Sequence, residues 1–398
     1  MKKKFFAMVL TLAMVLSLAA CGGNDTASDD TASTDSATEE DAGSASGTAF
    51  KIGTIGPLTG DAAIYGQAVA NGAAIAVEEI NAAGGDIQFE LKSEDDVNDG
   101  ETSVNAYNTL MDWGMQLLVG PTTTGPSVSV AAKCYEDRTF MLTPSASSTD
   151  VTSGKDNVFQ VCFTDPNQGT SSADYMAENM ADAKIYVLYQ NDDAYSQGIR
   201  DAFVSEAEAK GLTIVDEGTF TKDTATDFSV QLTAAQAAGA DTLFLPMYYQ
   251  PASVILNQAN AMGYAPTFFG VDGMDGILTM EGFDASLAEG VMLLTPFSAT
   301  LEENQSFVQA YQDQFGETPN QFAADAYDAV YILKEALEAA GCTADMSAAD
   351  ICEALVPTMT TLTHDGLTGK GMTWSADGAV SKDPTAFVIQ DGVYVLPQ

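Results

Sequence analysis

From Phe50 onward, short apolar runs alternate with amphipathic stretches of helical length, and the alternation runs through the chain twice. The first series reads as strand from Phe50 to Gly56, then helix from about Tyr65 to Asn81, ending at Gly84-Gly85. Strand from Ile87 to Ser93 and helix from Glu101 to Trp113 follow. Strand from Gln116 to Gly120, helix from about Pro126 to Asp137, and strand from Thr139 to Thr143 complete it. Apolar strands separated by amphipathic helices predict a parallel sheet covered by helices on both faces.

The second series begins after Phe163-Thr164-Asp165-Pro166. It reads as strand from Ala183 to Tyr189, helix from Tyr195 to Lys210, strand from Leu212 to Thr219 and helix from Phe228 to Ala238. Strand from Asp241 to Pro246, helix from Ala252 to Met262 and strand from Thr267 to Val271 follow. Around Gly290 to Pro296 the pattern meets two consecutive helices, Leu301 to Phe315 and Gln321 to Gly341. Two α/β series with added helices predict two similar lobes and a chain that crosses between them more than once. The roughly 350 residues from Phe50 suffice for two such lobes.

The N-terminus bears on the compartment. Met1-Lys2-Lys3-Lys4 is a short basic region, and Phe5 to Leu18 is an uncharged apolar stretch too short to span a bilayer comfortably. It leads into Leu18-Ala19-Ala20-Cys21-Gly22, which resembles the bacterial lipobox. That resemblance implies a signal peptide over 1–20, acylation of Cys21 and a lipid anchor at the cell membrane, facing the extracellular or periplasmic side. Each buried acyl methylene contributes about 0.8 kcal/mol to such anchoring. Residues 22–48 hold seven acids and no Lys or Arg among Gly, Ser, Thr, Ala and Asn. Such a segment cannot bury enough apolar area to offset its ordering entropy, so residues 21–48 read as a disordered acidic tether.

A formal charge of −41, with arginine only at 138 and 200, argues against nucleic-acid binding, which needs clustered cations. Four further cysteines, Cys134, Cys162, Cys342 and Cys352, permit two disulfides in an exported protein. Cys342 and Cys352 are close enough to staple a local loop, which would leave Cys134 with Cys162.

In parallel α/β sheets, ligands sit beyond the carboxyl ends of the strands. That singles out the loops at 57–66, 120–127 and 143–149. Thr122-Thr123-Thr124-Gly125-Pro126-Ser127 and Pro144-Ser145-Ala146-Ser147-Ser148 each follow a strand and offer hydroxyls and free N–H groups to an anion such as a carboxylate. Ser and Thr are also the commonest helix caps, so each loop alone is a weak signal; two at adjacent strand ends are stronger. Asp272, ending a strand of the second series, is placed to face them and pair with an ammonium, or to be a solvated turn residue. Tyr65, Tyr195, Tyr248 and Tyr249 follow strands or open helices, where aromatic rings suit the apolar part of a small ligand.

These residues, with the order of the motifs around them, resemble the bacterial leucine/isoleucine/valine-binding proteins, type I solute-binding proteins of ABC transporters. The resemblance rests on Ile52-Gly53-Thr54-Ile55-Gly56-Pro57-Leu58-Thr59-Gly60, Tyr65-Gly66, Asn71-Gly72-Ala73, Glu79-Ile80-Asn81 and Gly84-Gly85. Asp95-Asp96, Gly120-Pro121, Thr143-Pro144-Ser145-Ala146, Thr164-Asp165-Pro166-Asn167-Gln168-Gly169 and Asp227-Phe228 extend it over nearly all of 50–390. It implies the type I periplasmic binding protein fold, two Rossmann-like lobes with parallel sheets joined by a multi-strand hinge. Residues 49–165 with 295–380 would form one lobe, and 166–294 with 381–398 the other.

The same resemblance implies a ligand α-carboxylate held at Thr124 and Ser147. An α-ammonium would be held by the Ser145 carbonyl and Asp272, where the leucine-type proteins usually carry Glu. It implies a side-chain pocket lined by Tyr65, Tyr195, Tyr248 and Phe322, with Ala146 in the carboxylate loop. Thr122 and Thr123 stand where the branched-chain binders place bulkier apolar groups, which predicts a wider or more polar pocket. The implied partners are a small ligand, an amino acid first of all, and the permease subunits of an ABC importer. The alternative is a lipoprotein that reports an amide, aromatic acid or other small metabolite to a membrane sensor.

No cofactor is implied. The chain has one histidine, His364, and no Gly-x-Ser-x-Gly elbow, phosphate loop or His-Glu-x-x-His motif, so the parts for nucleophilic or zinc catalysis are missing and no residue is singled out as catalytic. Asp95 to Gly100 begins like a calcium loop, but Val97 occupies its third position and no Glu follows at the twelfth, so no metal site is expected.

Overall fold

The computed structural model describes residues 49–397. The signal peptide at 1–20, the acylation site Cys21 and the tether at 21–48 lie outside the described residues. No helix among those described is long and apolar enough to cross a membrane.

The first series folds as β1 (Phe50–Gly56), α1 (Ala63–Ala83), β2 (Phe89–Asp95), α2 (Gly100–Trp113), β3 (Leu117–Val119), α3 (Thr124–Asp137), β4 (Phe140–Thr143), α4 (Thr149–Thr152) and β5 (Val158–Gln160). Its strands form a five-stranded parallel sheet in the order β2-β1-β3-β4-β5. The second series is α5 (Asp165–Asn179), β6 (Lys184–Gln190), α6 (Ala194–Lys210), β7 (Thr213–Phe220), α7 (Ser229–Ala238), β8 (Thr242–Leu245), α8 (Tyr249–Ala261), β9 (Thr267–Gly270) and β10 (Met292–Thr295). The helices α9 (Gln305–Phe315), α10 (Gln321–Ala340) and α11 (Ala348–Met359) follow, and β11 (Thr385–Gln390) and β12 (Val393–Val395) end the chain. The second sheet has seven strands in the order β12-β11-β10-β9-β8-β6-β7, parallel except where β11 and β12 add antiparallel.

Side chains alternate across each strand, so the central strands bury both faces. Leu117, Val119, Phe140 and Leu142 point to the core under α1 and α10, while Leu118 and Met141 point to the core under α2 and α3. In the second sheet, Leu243 and Leu245 share the core that includes α8, whereas Ile185, Val187 and Phe244 face α5 and α6. The chain passes between the sheets three times: from β5 to α5, from β10 towards α9, and back to β11. α10 packs on α1 after the second passage, and the closest approach is at Gly72, where any Cβ would run into the Ala323 backbone.

Several elements differ from the sequence expectation. α5, α11, β5, β11 and β12 are not foreseen by the apolar pattern. α5 is mostly polar and small, yet Thr164 caps it, accepting from the Asn167 N–H, and Pro166 sits in its first turn. Its small residues let it lie close on α6; a Cβ on Gly169 would fall 2.5 Å from the Ile199 carbonyl oxygen. The helix expected from Leu301 begins at Gln305, because Asn304 Nδ2 turns back to the Ser298 carbonyl and holds the preceding residues in a tighter turn. The two permitted disulfides are absent: Cys134, Cys162, Cys342 and Cys352 are all free and buried. Cys134 lies in the core under α3, whereas Cys162 lies beside the Asp325–Lys382 pair. Cys342 just follows α10 and Cys352 lies inside α11.

Candidate functional site

The strand orders place two switch points, between β1 and β3 in one sheet and between β6 and β8 in the other. Loops at such points diverge and leave a crevice. The β3–α3 loop is fastened by its own hydroxyls. Thr122 Oγ1 donates to the Ile55 carbonyl at 3.3 Å, Thr123 Oγ1 to Asn98 Oδ1 at 2.7 Å, and Ser145 Oγ to the Thr122 carbonyl at 2.7 Å. Ser127 Oγ and Thr143 Oγ1 both donate to the Pro121 carbonyl. After these bonds, two hydroxyls remain. Thr124 Oγ1 and Ser147 Oγ are buried without a hydrogen-bond partner. Thr124 opens α3, whose first N–H groups have no acceptor within the helix.

From the other sheet come Tyr195 in the first turn of α6, Tyr248 just before α8, and Asp272 in the turn after β9. Asp272 is 3% exposed, and Tyr195 Oη donates to its Oδ1 at 2.6 Å. Its backbone is clamped as well: the Asp272 N–H donates to Gln168 Oε1 at 3.2 Å, and Gln321 Nε2 donates to the Asp272 carbonyl at 3.0 Å. Burial pushes the Asp272 carboxyl up to about 7, against the pull of the Tyr195 hydroxyl. Burial also lifts the Tyr65, Tyr195 and Tyr248 phenols well above their usual range, so all three stay neutral.

These groups meet around a nearly closed cavity of about 10 Å³, room for about one water, so a larger ligand needs the two sides to part. Thr122, Thr123, Thr124 and Ser145 line it from the first sheet, Tyr195, Tyr248, Asp272 and Gly273 from the second, and Phe322 from α10. The Tyr195 and Tyr248 rings stack at 4.8 Å with 11° between planes. Tyr65 stands one layer back, packed on Phe322 at 4.4 Å. Its hydroxyl donates to the Gly273 carbonyl and accepts from the Tyr249 N–H at 3.1 Å, so α1 reaches across to the second sheet. Ala146 also lies behind the wall, its carbonyl taken by Gln160 Nε2 at 2.7 Å, and Ser147 is buried beside it.

Thr122 and Thr123 line the cavity as expected of their position, but their hydroxyls are spent on the end of β1 and on Asn98, after β2. Four contributors escape sequence reasoning: Gly273, Gln168, Gln321 and Asp165. Gly273 carries a signal in retrospect, since a Cβ there would meet Tyr195 Oη at 2.5 Å. His364 lies outside the cavity, 5% exposed, with Nδ1 2.9 Å from Glu335 Oε2. Among the described residues no three His, Cys, Asp or Glu side chains converge as a metal site.

Chemically, the cavity offers the free Thr124 hydroxyl and a helix N-terminus on one side, with the Ser147 hydroxyl behind them, a buried acid opposite, and aromatic walls. The family model for periplasmic binding proteins matches residues 49–392. The chain belongs to the periplasmic binding protein family. This periplasmic binding protein is 33% identical over 311 residues to the Leu/Ile/Val-binding protein homolog 3 of Brucella melitensis, spanning 77% of this chain and 83% of that one. It is 30% identical over 305 residues to the leucine-, isoleucine-, valine-, threonine-, and alanine-binding protein of Pseudomonas aeruginosa, spanning 75% and 80%. In structure it is similar to the branched-chain amino acid transporter substrate binding protein LivJ from Streptococcus pneumoniae, solved in complex with isoleucine. That match has a TM-score of 0.77 at 29% identity and covers 88% of this chain and all of that one. The expected fold, type I with two parallel-sheet lobes, is therefore the observed one.

Proposed function

We propose that this periplasmic binding protein captures a neutral, mainly apolar L-amino acid and delivers it to the permease of an ABC importer. The observation that carries the reading is the buried, unpartnered Thr124 Oγ1 on a cavity shared with the buried acid Asp272, with a second unpartnered hydroxyl, Ser147 Oγ, buried behind the cavity wall. The hydroxyls and the α3 N-terminus take the α-carboxylate, and Asp272 takes the α-ammonium. Tyr195, Tyr248 and Phe322 enclose the side chain, which the anchored Thr122 and Thr123 hydroxyls do not reach. The names of the relatives support the branched-chain class.

The cavity lining carries Asp272 and no Lys or Arg. An aromatic acid without an ammonium would bring a second negative charge into a buried site, which is costly. Residues 49–165 with 295–380 act as one lobe and 166–294 with 381–398 as the other, closing on the ligand about the three connecting segments. Cys21 carries the lipid that holds the protein at the membrane, with 21–48 as tether.

Thermal-shift screening of the purified protein against the twenty amino acids, their amides and aromatic acids tests the ligand class. Leucine, isoleucine or valine is expected to raise the Tm, and benzoate is not. If no neutral amino acid raises it, the ligand reading fails. Cys21→Ser is expected to release the protein from membranes without changing affinity; a variant still acylated would refute the anchor.

A further inference from the structure

Beside the hydroxyls of Thr124 and Ser147 lies a third group whose burial has no evident compensation. The Asp165 side chain, in the first turn of α5, is 1% exposed, and neither carboxyl oxygen has a hydrogen-bond partner. Its backbone N–H donates to the Ser147 carbonyl at 2.9 Å, which ties the two residues together. The Ser147 hydroxyl is the side-chain group whose pull on the carboxyl opposes burial, yet the two do not complete a hydrogen bond. On the far side the α6 backbone closes in: a Cβ on Gly198 would fall 3.1 Å from Asp165 Oδ2. The titratable groups that face Asp165 include Asp272, Asp193 and Asp150, all acids, with the neutral Tyr248 phenol and Cys162 thiol beside them and no cation among them.

A carboxylate in this position would lack a counter-charge and would have only the Ser147 hydroxyl to turn to as a donor, which is a costly form of burial. A carboxylic acid is neutral and has a proton to give. We propose that Asp165 is a protonated carboxylic acid that donates to Ser147 Oγ and thereby turns the Ser147 hydroxyl hydrogen towards the ligand carboxylate. This rests on the reading of Ser147 as a carboxylate ligand.

The direction matters because a hydroxyl has one hydrogen and two lone pairs. Facing an ionised Asp165, Ser147 would spend its hydrogen there and present lone pairs to the incoming carboxylate. Facing the acid form, it accepts from Asp165 and donates forward. Two nearby acids thus hold opposite states during capture. Asp272 has the Tyr195 hydroxyl to steady its charge, whereas Asp165 completes no hydrogen bond and keeps its proton. Burial pushes the Asp165 carboxyl well above the usual carboxylate range. Asp165 is a positioning residue: it acts through Ser147.

The test uses the full chain, with L-leucine, L-isoleucine and L-valine as probes, and the ligand-free Tm as a function of pH. Absence of binding by the wild type to all three removes the amino-acid reading and leaves the Tm arm to judge Asp165. Asp165→Asn, whose amide also donates, is expected to bind within about threefold of wild type. Asp165→Ala is expected to bind about tenfold more weakly, and that loss is expected to shrink in a Ser147→Ala background.

In the ligand-free protein, a folded-state pKa above the unfolded one lowers stability as pH rises. The Tm of Asp165→Asn relative to wild type is therefore expected to climb between pH 5 and 8. The proposal is overturned if Asp165→Asn binds as poorly as Asp165→Ala while keeping its Tm, or if Asp165→Ala binds like wild type. It is equally overturned if the Asn-minus-wild-type Tm difference is flat or falls with pH. Should Asp165→Ala fail to fold, the Asn variant and the pH series still decide.

Discussion

Tyr195 Oη donates to Asp272 Oδ1 at 2.6 Å and accepts from the Gly273 N–H at 2.9 Å. One phenol therefore stabilises the charge on the acid and fixes the turn that carries it. The bond works against burial, which alone would hold the Asp272 carboxyl higher than about 7. An ammonium ligand needs that carboxylate ionised, so affinity is expected to rise with pH through about 7 and then level off. Tyr195→Phe removes the opposing bond and is expected to move the midpoint to higher pH. Calorimetric titration of a bound amino acid from pH 5.5 to 8.5 checks it; an unchanged midpoint in Tyr195→Phe would show that the bond does not tune Asp272.

The two free hydroxyls weigh differently on binding and folding. Thr124→Val and Ser147→Ala each delete a buried polar atom that has no partner in the fold. Ligand affinity is expected to fall by about 1 to 2 kcal/mol per variant, while the ligand-free Tm stays level or rises in Thr124→Val and falls in Ser147→Ala, where the Asp165 carboxyl loses its acceptor. A drop in Tm in Thr124→Val of the same size as its loss in affinity would make Thr124 structural.

Asp272 and Asp275 join Asp165, Asp96 and Asp193 as buried acids whose raised pKa values shape the pH response of the ligand-free protein. Asp272 is pushed up to about 7 and Asp275 to about 6, burial being the main cause for both. Because their folded-state values lie above the unfolded ones, their contribution to stability is complete below about pH 4 and is lost as pH rises through 6 and 7. Ligand-free Tm is expected to decline between pH 5 and 8, and Asp272→Asn to flatten that decline. In the presence of an amino-acid ligand the decline is expected to weaken, since the ammonium stabilises ionised Asp272. A ligand-free Tm that rises over this range in wild type, and equally in Asp272→Asn, would contradict the assignment.

Contact between α1 and α10 depends on a missing side chain. Gly72→Ala is expected to destabilise by about 1 to 3 kcal/mol, because its Cβ would overlap the Ala323 carbonyl and force two packed helices apart. Phe322 and Gln321 lie at the same end of α10 as Ala323, so a loss of affinity is expected to accompany the loss of Tm. Chemical denaturation with parallel binding measurements checks both; wild-type stability would mean the helices can separate without strain.

Much of the fold was legible because burial imposes periodicity. Strands such as Phe140–Thr143 are apolar on both faces and helices such as α10 on one, so their alternation announced parallel sheets. α5 was illegible for the same reason: it packs through small residues at close range and shows no apolar stripe, leaving the Thr164 cap as its only mark. At the candidate site, strand-end position and hydroxyl content pointed to the 120–127 and 143–149 loops. They could not tell which hydroxyls were committed to the backbone, because Thr122 and Thr124 are the same residue type two positions apart. Gln168 and Gln321 were missed because they reach Asp272 from about a hundred and about fifty residues away, in segments without local chemistry of their own.

By itself the sequence determined the two α/β series, their repeated order and the small set of loops where a ligand could sit, since these follow from local periodicity and strand direction. Only the tertiary structure decided which groups remain free to meet a ligand. Hydrogen-bond satisfaction is a property of neighbours in space: Thr122, Thr123 and Ser145 find partners across the loop, Thr124 and Ser147 do not, and Asp272 acquires its charge state from burial and from Tyr195.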